Sequence, residues 1–415
     1  MAPVDEQLAV LMRGTDFGDE STRLTMQREL AERLEQDRPL RVYCGYDPTD
    51  VDLHIGHTIT FRKLRQFQDF GHDVTFLIGN FTGLVGDPTD KDKTRPMLSP
   101  EQLEANSQSY AEQAFRILDP QRTTVAHNAD WLGKLNFADV IAISSKFTVA
   151  QFLERDNFQK RYQRHEAIHL SEFMYALMQA YDAVMMETDV QIGGTDQLFN
   201  LLAGRTLQRE SGQDPQVVIT TPLLVGTDGH LKMSKSAGNF IAVNDTPNDM
   251  FGKVMSLTDE AIEEYFTLLT TLTAEAVASV LADVEDGELP VMDAKKQLAL
   301  EVTASMYERD AAEAAQAYFE ATIQRRETPE EMQEHHLAYE TTGTIGTQKQ
   351  LRNRLHQVLV DADLAASGGE VRRLVKQGAV RVNGEVVDDF ARPLEIEDEI
   401  KIGRHKFLRV VAGPV

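Results

Sequence analysis

Between residues 40 and 128 the chain alternates apolar runs of strand length with stretches of helical spacing. "LRVYCGY" (40–46) reads as a buried strand, and "GHTITFRKLRQFQDFG" (56–71) as a helix ending at a glycine. "DVTFLIGN" (73–80) is a second strand, Ser99 to Leu118 a second helix, and "TTVAHN" (123–128) a third strand. This alternation predicts a parallel sheet with helices on both faces, a Rossmann-like α/β domain. Ligands of such sheets lie at the carboxyl ends of the strands. Polar clusters fall there, after Gly45, Ile78, Ile192 and Val225.

The remainder divides by composition. Residues 1–36 predict two amphipathic helices, and 137–188 a continuous helical pattern. "TDVQIGG" (188–194) returns to strand, "TDQLFNLLAGRTL" (195–207) to helix and "QVVITTPLLVG" (216–226) to strand. Residues 247–336 read as helical, and the Gly/Thr-rich 339–350 as a linker. The last 65 residues predict a helix, a glycine pair, a basic helix and short strands. The Asn-Gly within "VRVNGEVV" marks a tight two-residue hairpin turn.

Bulk properties narrow the function classes. A net charge of −24 opposes indiscriminate nucleic-acid binding. The charge is uneven: residues 345–415 hold 12 basic against 10 acidic side chains, leaving −26 on the rest. The single cysteine, Cys44, excludes an internal disulfide framework and fits a reducing compartment. No charged-then-apolar leader opens the chain, and no run of roughly 18 apolar residues occurs. The expected location is cytoplasmic, without a membrane span.

Two stretches carry phosphate chemistry. In "YCGYDPTDVDLHIGH" (43–57), His54 and His57 are three apart at the start of a helix, on one side of its first turn. Free backbone N–H groups and the dipole favour anions there. Imidazoles donate hydrogen bonds without a permanent charge. Gly56 lets a flat base approach the backbone, and Thr49 adds a hydroxyl. Cysteines or further histidines at zinc spacing are lacking, so no metal site is expected. In "LKMSKSAGN" (231–239), Lys232 and Lys235 flank Ser234 in a glycine-bounded loop, where two ammonium groups can meet a pyrophosphate. A third stretch, "SEFMYALMQAYDAV", places Tyr175, Gln179 and Asp182 on one helical face among apolar residues. They form either an internal hydrogen-bond network or a cavity for a small polar ligand.

The paired "HIGH" and "KMSKS" stretches resemble the signature of class I aminoacyl-tRNA synthetases. With "GDP", "YALMQAYD" and "IGGTDQ" the chain resembles bacterial tyrosyl-tRNA synthetases over essentially its whole length. The resemblance implies a Rossmann-like catalytic domain at 1–230. It implies a KMSKS loop and helical anticodon-binding-type domain at 231–338, a linker at 339–350 and an S-four-like RNA-binding domain at 351–415. It implies ATP with Mg²⁺, L-tyrosine and tRNA(Tyr) as partners, and a homodimer whose surface we expect within 110–160.

Residue by residue, the resemblance puts the substrate phenol on Tyr43 and Asp182, and the α-ammonium on Tyr175, Gln179 and Asp87. Gln197 approaches the tyrosine end of the adenylate. Asp47, Gly56, Gly194, Asp196 and Ser236 belong to the ATP side, with ribose on Gly194 and Asp196. Thr49, His54 and His57 handle phosphates, and Lys91 and Arg95 join Lys232 and Lys235 on the pyrophosphate. The family often has Ser-Gly after "GDP", where this chain has Thr89-Asp90. Arg372, Arg373 and Lys376 of the tail helix would meet RNA phosphate. Tryptophanyl-tRNA synthetases share the two phosphate motifs but ordinarily lack this tail and the Tyr43/Asp182 pair. A non-catalytic RNA-binding regulator is the other alternative, against which the intact histidines and lysines stand.

Overall fold

The computed structural model describes residues 2–49, 52–88, 100–325, 332–337, 353–403 and 406–412. The chain forms two compact units, Met1–Ala312 and Glu313–Val415. The predicted linker at 339–350 lies outside the described residues, as do Thr89, Asp90, Lys91 and Arg95.

The first unit is built on the expected parallel sheet. Its strands are β1 (Arg41–Tyr46), β2 (Asp73–Ile78), β3 (Thr123–His127), β4 (Val190–Gly194) and β5 (Val217–Thr221). They are ordered β3-β2-β1-β4-β5, with every pair parallel. β5, "VVITT", is buried at all five positions, as a strand covered on both faces must be. Successive strands step outward from β1 to β3 and then, from β4, to the other side. The gap between the carboxyl ends of β1 and β4 is therefore the topological switch point, where open α/β sheets bind ligands.

Two helix features shape that gap. The Thr58–Asp69 helix follows β1 through a 3₁₀ turn, Ile55–His57, and is held down by Ile59, Phe61, Leu64 and Phe67. The Leu170–Met185 and Leu198–Glu210 helices pack through small residues, Ala180 and Ala203 with Leu207. At Gly204 an added Cβ would lie 3.3 Å from Ala183 Cβ, so the glycine sets how closely the pair approaches.

Helical content between 137 and 188 is interrupted, contrary to the continuous pattern expected. It forms Phe137–Ser144, Val149–Leu153, Asp156–Gln163 and Leu170–Met185. Local caps start the new helices: Asn136 accepts from the amides of Ala138 and Asp139, and Thr148 from that of Gln151. His165 adopts a left-handed φ of 57° between the last two. Apolar spacing continues through these breaks, which is why periodicity alone does not show them.

The second unit carries β6 (Gln333–Leu337), β7 (Val380–Val382), β8 (Glu385–Val386), β9 (Glu399–Ile402) and β10 (Lys406–Ala412), ordered β6-β10-β9-β7-β8. The Leu355–Asp361 and Gly368–Lys376 helices supply Val358, Leu359, Val371 and Val375 to a core shared with Val380, Val382, Ile400 and Leu408. Asn383 and Gly384 have φ of 52° and 83°, the two left-handed positions that a type I′ hairpin turn demands. β6 corrects the helical reading of 247–336: "QEHHL" is an edge strand lying parallel to β10.

Candidate active site

The carboxyl ends of β1 and β4 and the Leu170–Met185 helix enclose a cavity of about 350 Å³. Its deep end is polar yet buried. Tyr43, on β1, and Asp182, on the helix, are 1% and 2% exposed. Tyr43 Oη and Gln179 Oε1 are buried without a hydrogen-bond partner among the described residues. Orphaned buried groups of this kind are rare in folded proteins and call for an explanation. Asp182 accepts from Trp131 Nε1 at 2.7 Å and Asn128 Nδ2 at 3.2 Å. Burial pushes its carboxyl up to about 8, although both donors pull the other way. Tyr43 is pushed well above the usual phenol range by burial and by the Asp182 charge.

The predicted single face of Tyr175, Gln179 and Asp182 does meet this cavity. Tyr175, however, donates to Asp47 Oδ2 at 2.9 Å, and Thr82 donates to Asp47 Oδ1 at 2.7 Å. Asn128 Nδ2 reaches Thr82 Oγ1 at 3.0 Å. A continuous polar chain thus runs from Tyr175 through Asp47, Thr82 and Asn128 to Asp182. Any Cβ at Gly79 would collide with Asp47 and Thr82, so only glycine closes that turn.

β4 ends in Gly193-Gly194 and turns directly into the 3₁₀ segment Thr195–Gln197. An added Cβ at Gly194 would sit 2.7 Å from Asp196 Oδ1. Burial, then the neighbouring Asp87, pushes the Asp196 carboxyl up to about 6. Gln197 Nε2 donates to Asp87 Oδ2.

On the opposite wall, His54 precedes the Ile55–His57 turn, and its backbone N–H donates to His57 Nδ1 at 3.2 Å. The two rings lie 3.9 Å apart. Burial, followed by His57, Lys235 and Lys232, pushes His54 down to about 2, so it acts as a neutral imidazole. At Gly56 an added Cβ would come within 2.9 Å of His54 Nδ1.

Backbone pairing brings the lysine loop to this wall. Ile55 N–H bonds to Ile241 O and Val243 N–H to Leu53 O, both at 2.9 Å. Within the loop, Met233 N–H bonds to Leu224 O at 2.7 Å, and the Asn239 amide ties Ser234 to Asp228. Buried Met233 anchors it, while Lys232 lines the cavity mouth. Burial lowers the Lys232 pKa and the Asp87 carboxylate opposes that shift.

One cavity therefore gathers Tyr43, Asp47, Thr49, His54, Gly56, His57, Asp87, Tyr175, Gln179, Asp182, Gly194, Asp196, Gln197 and Lys232. Lys235 and Ser236 lie in the loop but do not line it. Arg372, Arg373 and Lys376 are exposed on the Gly368–Lys376 helix of the second unit. No cluster of three metal-ligating side chains occurs among the described residues. Sequence reading missed Thr82, Asn128 and Trp131. Asn128 closes the third strand run at its carboxyl end, where the sheet rule would have flagged it; Trp131 gave no signal beyond being the chain's one tryptophan.

Comparison with known proteins agrees with this geometry. Residues 35–324 match the family described as tRNA synthetases class I (W and Y), and 353–400 match the S4 domain. A tyrosine–tRNA ligase of Oleidesulfovibrio alaskensis is 44% identical over 98% of this chain and 99% of its own. One from Thermotoga maritima is 43% identical over 99% and 98%. Among solved structures, a truncated mitochondrial tyrosyl-tRNA synthetase of Aspergillus nidulans superposes with a TM-score of 0.62 at 24% identity, covering 79% of this chain and 94% of that one. With both phosphate motifs on one cavity and full-length likeness to the tyrosine enzymes, the chain belongs to the class I tRNA synthetases of the tryptophan and tyrosine group, and within it to the tyrosine–tRNA ligases.

Proposed function

We propose that the cavity binds L-tyrosine with its phenol between Tyr43 and Asp182, and ATP along the wall formed by Asp47, Gly194, Asp196 and the His54–His57 turn. One observation carries this reading: an unpartnered Tyr43 hydroxyl and an unpartnered Gln179 carbonyl lie buried beside a carboxyl group that burial has pushed upward. A phenol both donates and accepts, so it satisfies Tyr43 and Asp182 together. Phenylalanine would leave the Tyr43 hydroxyl unpaired, at roughly 1–3 kcal/mol, and would deny Asp182 the phenol's hydrogen bond beside those of Trp131 and Asn128. Asp87, Gln179 and Tyr175 take the α-ammonium, with Tyr175 shared between ligand and Asp47.

The tyrosine carboxylate then attacks the α-phosphorus of ATP, which enters as its Mg²⁺ complex. The bond to the β,γ-pyrophosphate breaks and tyrosyl-adenylate forms. The nucleophile is already ionised, so positioning and charge stabilisation do the catalysis. Neutral His54, His57 and Thr49 donate to phosphate oxygens. Lys232 and Lys235, with Lys91, Arg95 and Ser236, meet charge developing on the leaving group, and Gln197 donates to the reacting carboxylate. In the second step the 3′-terminal ribose hydroxyl of tRNA(Tyr) attacks the adenylate carbonyl and releases AMP.

Pyrophosphate exchange measured with each amino acid in turn tests the reading. Tyrosine alone should support exchange; exchange driven by tryptophan, or none at all, would overturn it.

The wider reading assigns 1–230 to catalysis, 231–338 to the lysine loop and the anticodon side, and 351–415 to RNA binding. Exposed Arg372, Arg373 and Lys376 meet tRNA phosphate, with Arg372 resting 4.3 Å above Phe390. Since β6 pairs with β10, cutting the chain near 345 would strip β6 of its partner. Substitution is the cleaner test. Arg373→Ala and Lys376→Ala should each lower the salt slope of tRNA binding by about 1 and leave pyrophosphate exchange intact. Unchanged tRNA binding would remove the assignment.

We read Phe137, Ile141 and Val149, which are 80%, 55% and 60% exposed, as covered by a second copy of the chain. Light scattering that returns a monomer mass at micromolar concentration would contradict this. The expected compartment is the cytoplasm, checked by cell fractionation: recovery with membranes would refute it. No helix among the described residues is long and apolar enough to cross one.

A further inference from the structure

We propose that Arg155 is a positioning residue for Gln197, acting through Asn200. Arg155 precedes the Asp156–Gln163 helix, outside every motif discussed above, and is 7% exposed. Its guanidinium stacks on Phe199 and Phe158, 4.9 and 5.4 Å from the ring centroids. Nη1 donates to Asn200 Oδ1 at 3.2 Å. Asn200, fully buried, donates from Nδ2 to Gln197 Oε1 at 3.0 Å. Gln197 Nε2 donates in turn to Asp87 Oδ2.

Two amides are thus strung between a group that only donates and a group that only accepts. Turning either amide over would set N–H against N–H or oxygen against oxygen, buried at Asn200 and half-buried at Gln197, which is costly. The arrangement holds the Gln197 carbonyl inward and its N–H group toward the cavity.

The inference rests on the reading that Gln197 donates to the reacting end of tyrosine. In that reading Asp87 also takes the substrate ammonium, whose three donors compete with Gln197 for the same carboxylate. Once tyrosine is bound, the Asp87 end of the chain loosens. The Arg155 end then keeps Gln197 correctly turned, so its contribution belongs to the rate of adenylation more than to tyrosine binding.

The test is pyrophosphate exchange on the full-length enzyme with Arg155→Met, Gln197→Leu and the double variant. Each single variant should lose about tenfold in kcat, the scale of one buried hydrogen bond. KM for tyrosine should stay within about twofold, and the double variant should be no slower than Gln197→Leu alone. Losses that multiply in the double variant, or a raised KM with kcat intact, would overturn the relay while leaving Gln197's role standing. Full activity in Gln197→Leu would overturn the Gln197 reading, and the relay with it. If circular dichroism shows Arg155→Met unfolded, the same cycle run with Asn200→Leu decides the question by the same criteria.

Discussion

Asp182 and Asp189 are near neighbours in the chain, and each is 2% exposed, yet their surroundings are opposite. Asp189 sits at the amino ends of β1 and β4. Arg38 grips it through both terminal nitrogens at 2.8 and 2.9 Å, and the Arg41 backbone N–H adds a bond at 2.9 Å. Arg41 and Arg33 approach at 3.3 and 3.5 Å. Burial alone would raise its pKa, but Arg38 and Arg41 overcome that and hold it down at about 2. Asp182, at the carboxyl end of the same sheet, has two neutral donors among the described residues, Trp131 and Asn128, and burial takes it up to about 8. One aspartate is completed by the protein itself; the other, on the reading proposed above, is completed by a ligand. The sheet is stapled at its amino end and left electrostatically unfinished at its carboxyl end, where the proposed chemistry lies.

This contrast can be broken most forcefully at Asp189. Asp189→Asn removes the charge that three guanidiniums share and should lower stability by about 3 kcal/mol in urea unfolding. Exchange activity per folded molecule should be unchanged. A loss of activity in excess of the loss of folded protein would mean that the two ends of the sheet are not separable.

Asp182→Asn should do the reverse. Its kcat/KM for tyrosine should fall about a hundredfold, with discrimination against phenylalanine eroded, because the deep end loses the carboxyl proposed to pair with the phenol. A variant that still prefers tyrosine undiminished would deny this carboxyl a role in the pocket.

The contrast can be sharpened by pH dependence, where the two groups have opposite signs. Asp189 loses its proton more readily folded than unfolded. Its contribution, about 2 kcal/mol, is present above the ordinary aspartate value near 4 and is lost as pH falls toward about 2. Asp182 keeps its proton in the fold to about 8, so its contribution is full below about pH 4 and drains away as pH rises to about 8. Urea unfolding of Asp182→Asn should coincide with the parent near pH 4 and show greater stability near pH 8. Parallel curves across that range would contradict the burial assigned to this carboxyl.

Much of this molecule was legible in advance because its signals are local. Strand runs bounded by turns gave the order of elements in the parallel sheet, and the two stretches singled out for phosphate chemistry meet at one cavity, through His54, Gly56 and His57 on one side and Lys232 on the other. The i, i+4, i+7 spacing put Tyr175, Gln179 and Asp182 on one face, and Asn383-Gly384 announced its hairpin through the φ angles such a turn requires. What stayed hidden depends on partners far away in sequence. β6 is a short polar run that becomes a strand only because β10 lies alongside it. The helix breaks between 137 and 170 come from caps at Asn136 and Thr148 that leave apolar spacing untouched.

By itself, then, the sequence determined the kinds of side chain available and the local geometry of each element, since helix face, turn type and strand period depend on neighbours a few residues away. Only the tertiary structure decided how those side chains pair. It turned Tyr175 toward Asp47, set Asn128 and Trp131 on Asp182, strung Arg155 to Gln197 through Asn200, and assigned arginines to Asp189 but, among the described residues, none to Asp182. The reason is that burial and charge pairing are properties of a place in space, where the dielectric and the available donors are set by every element that meets there.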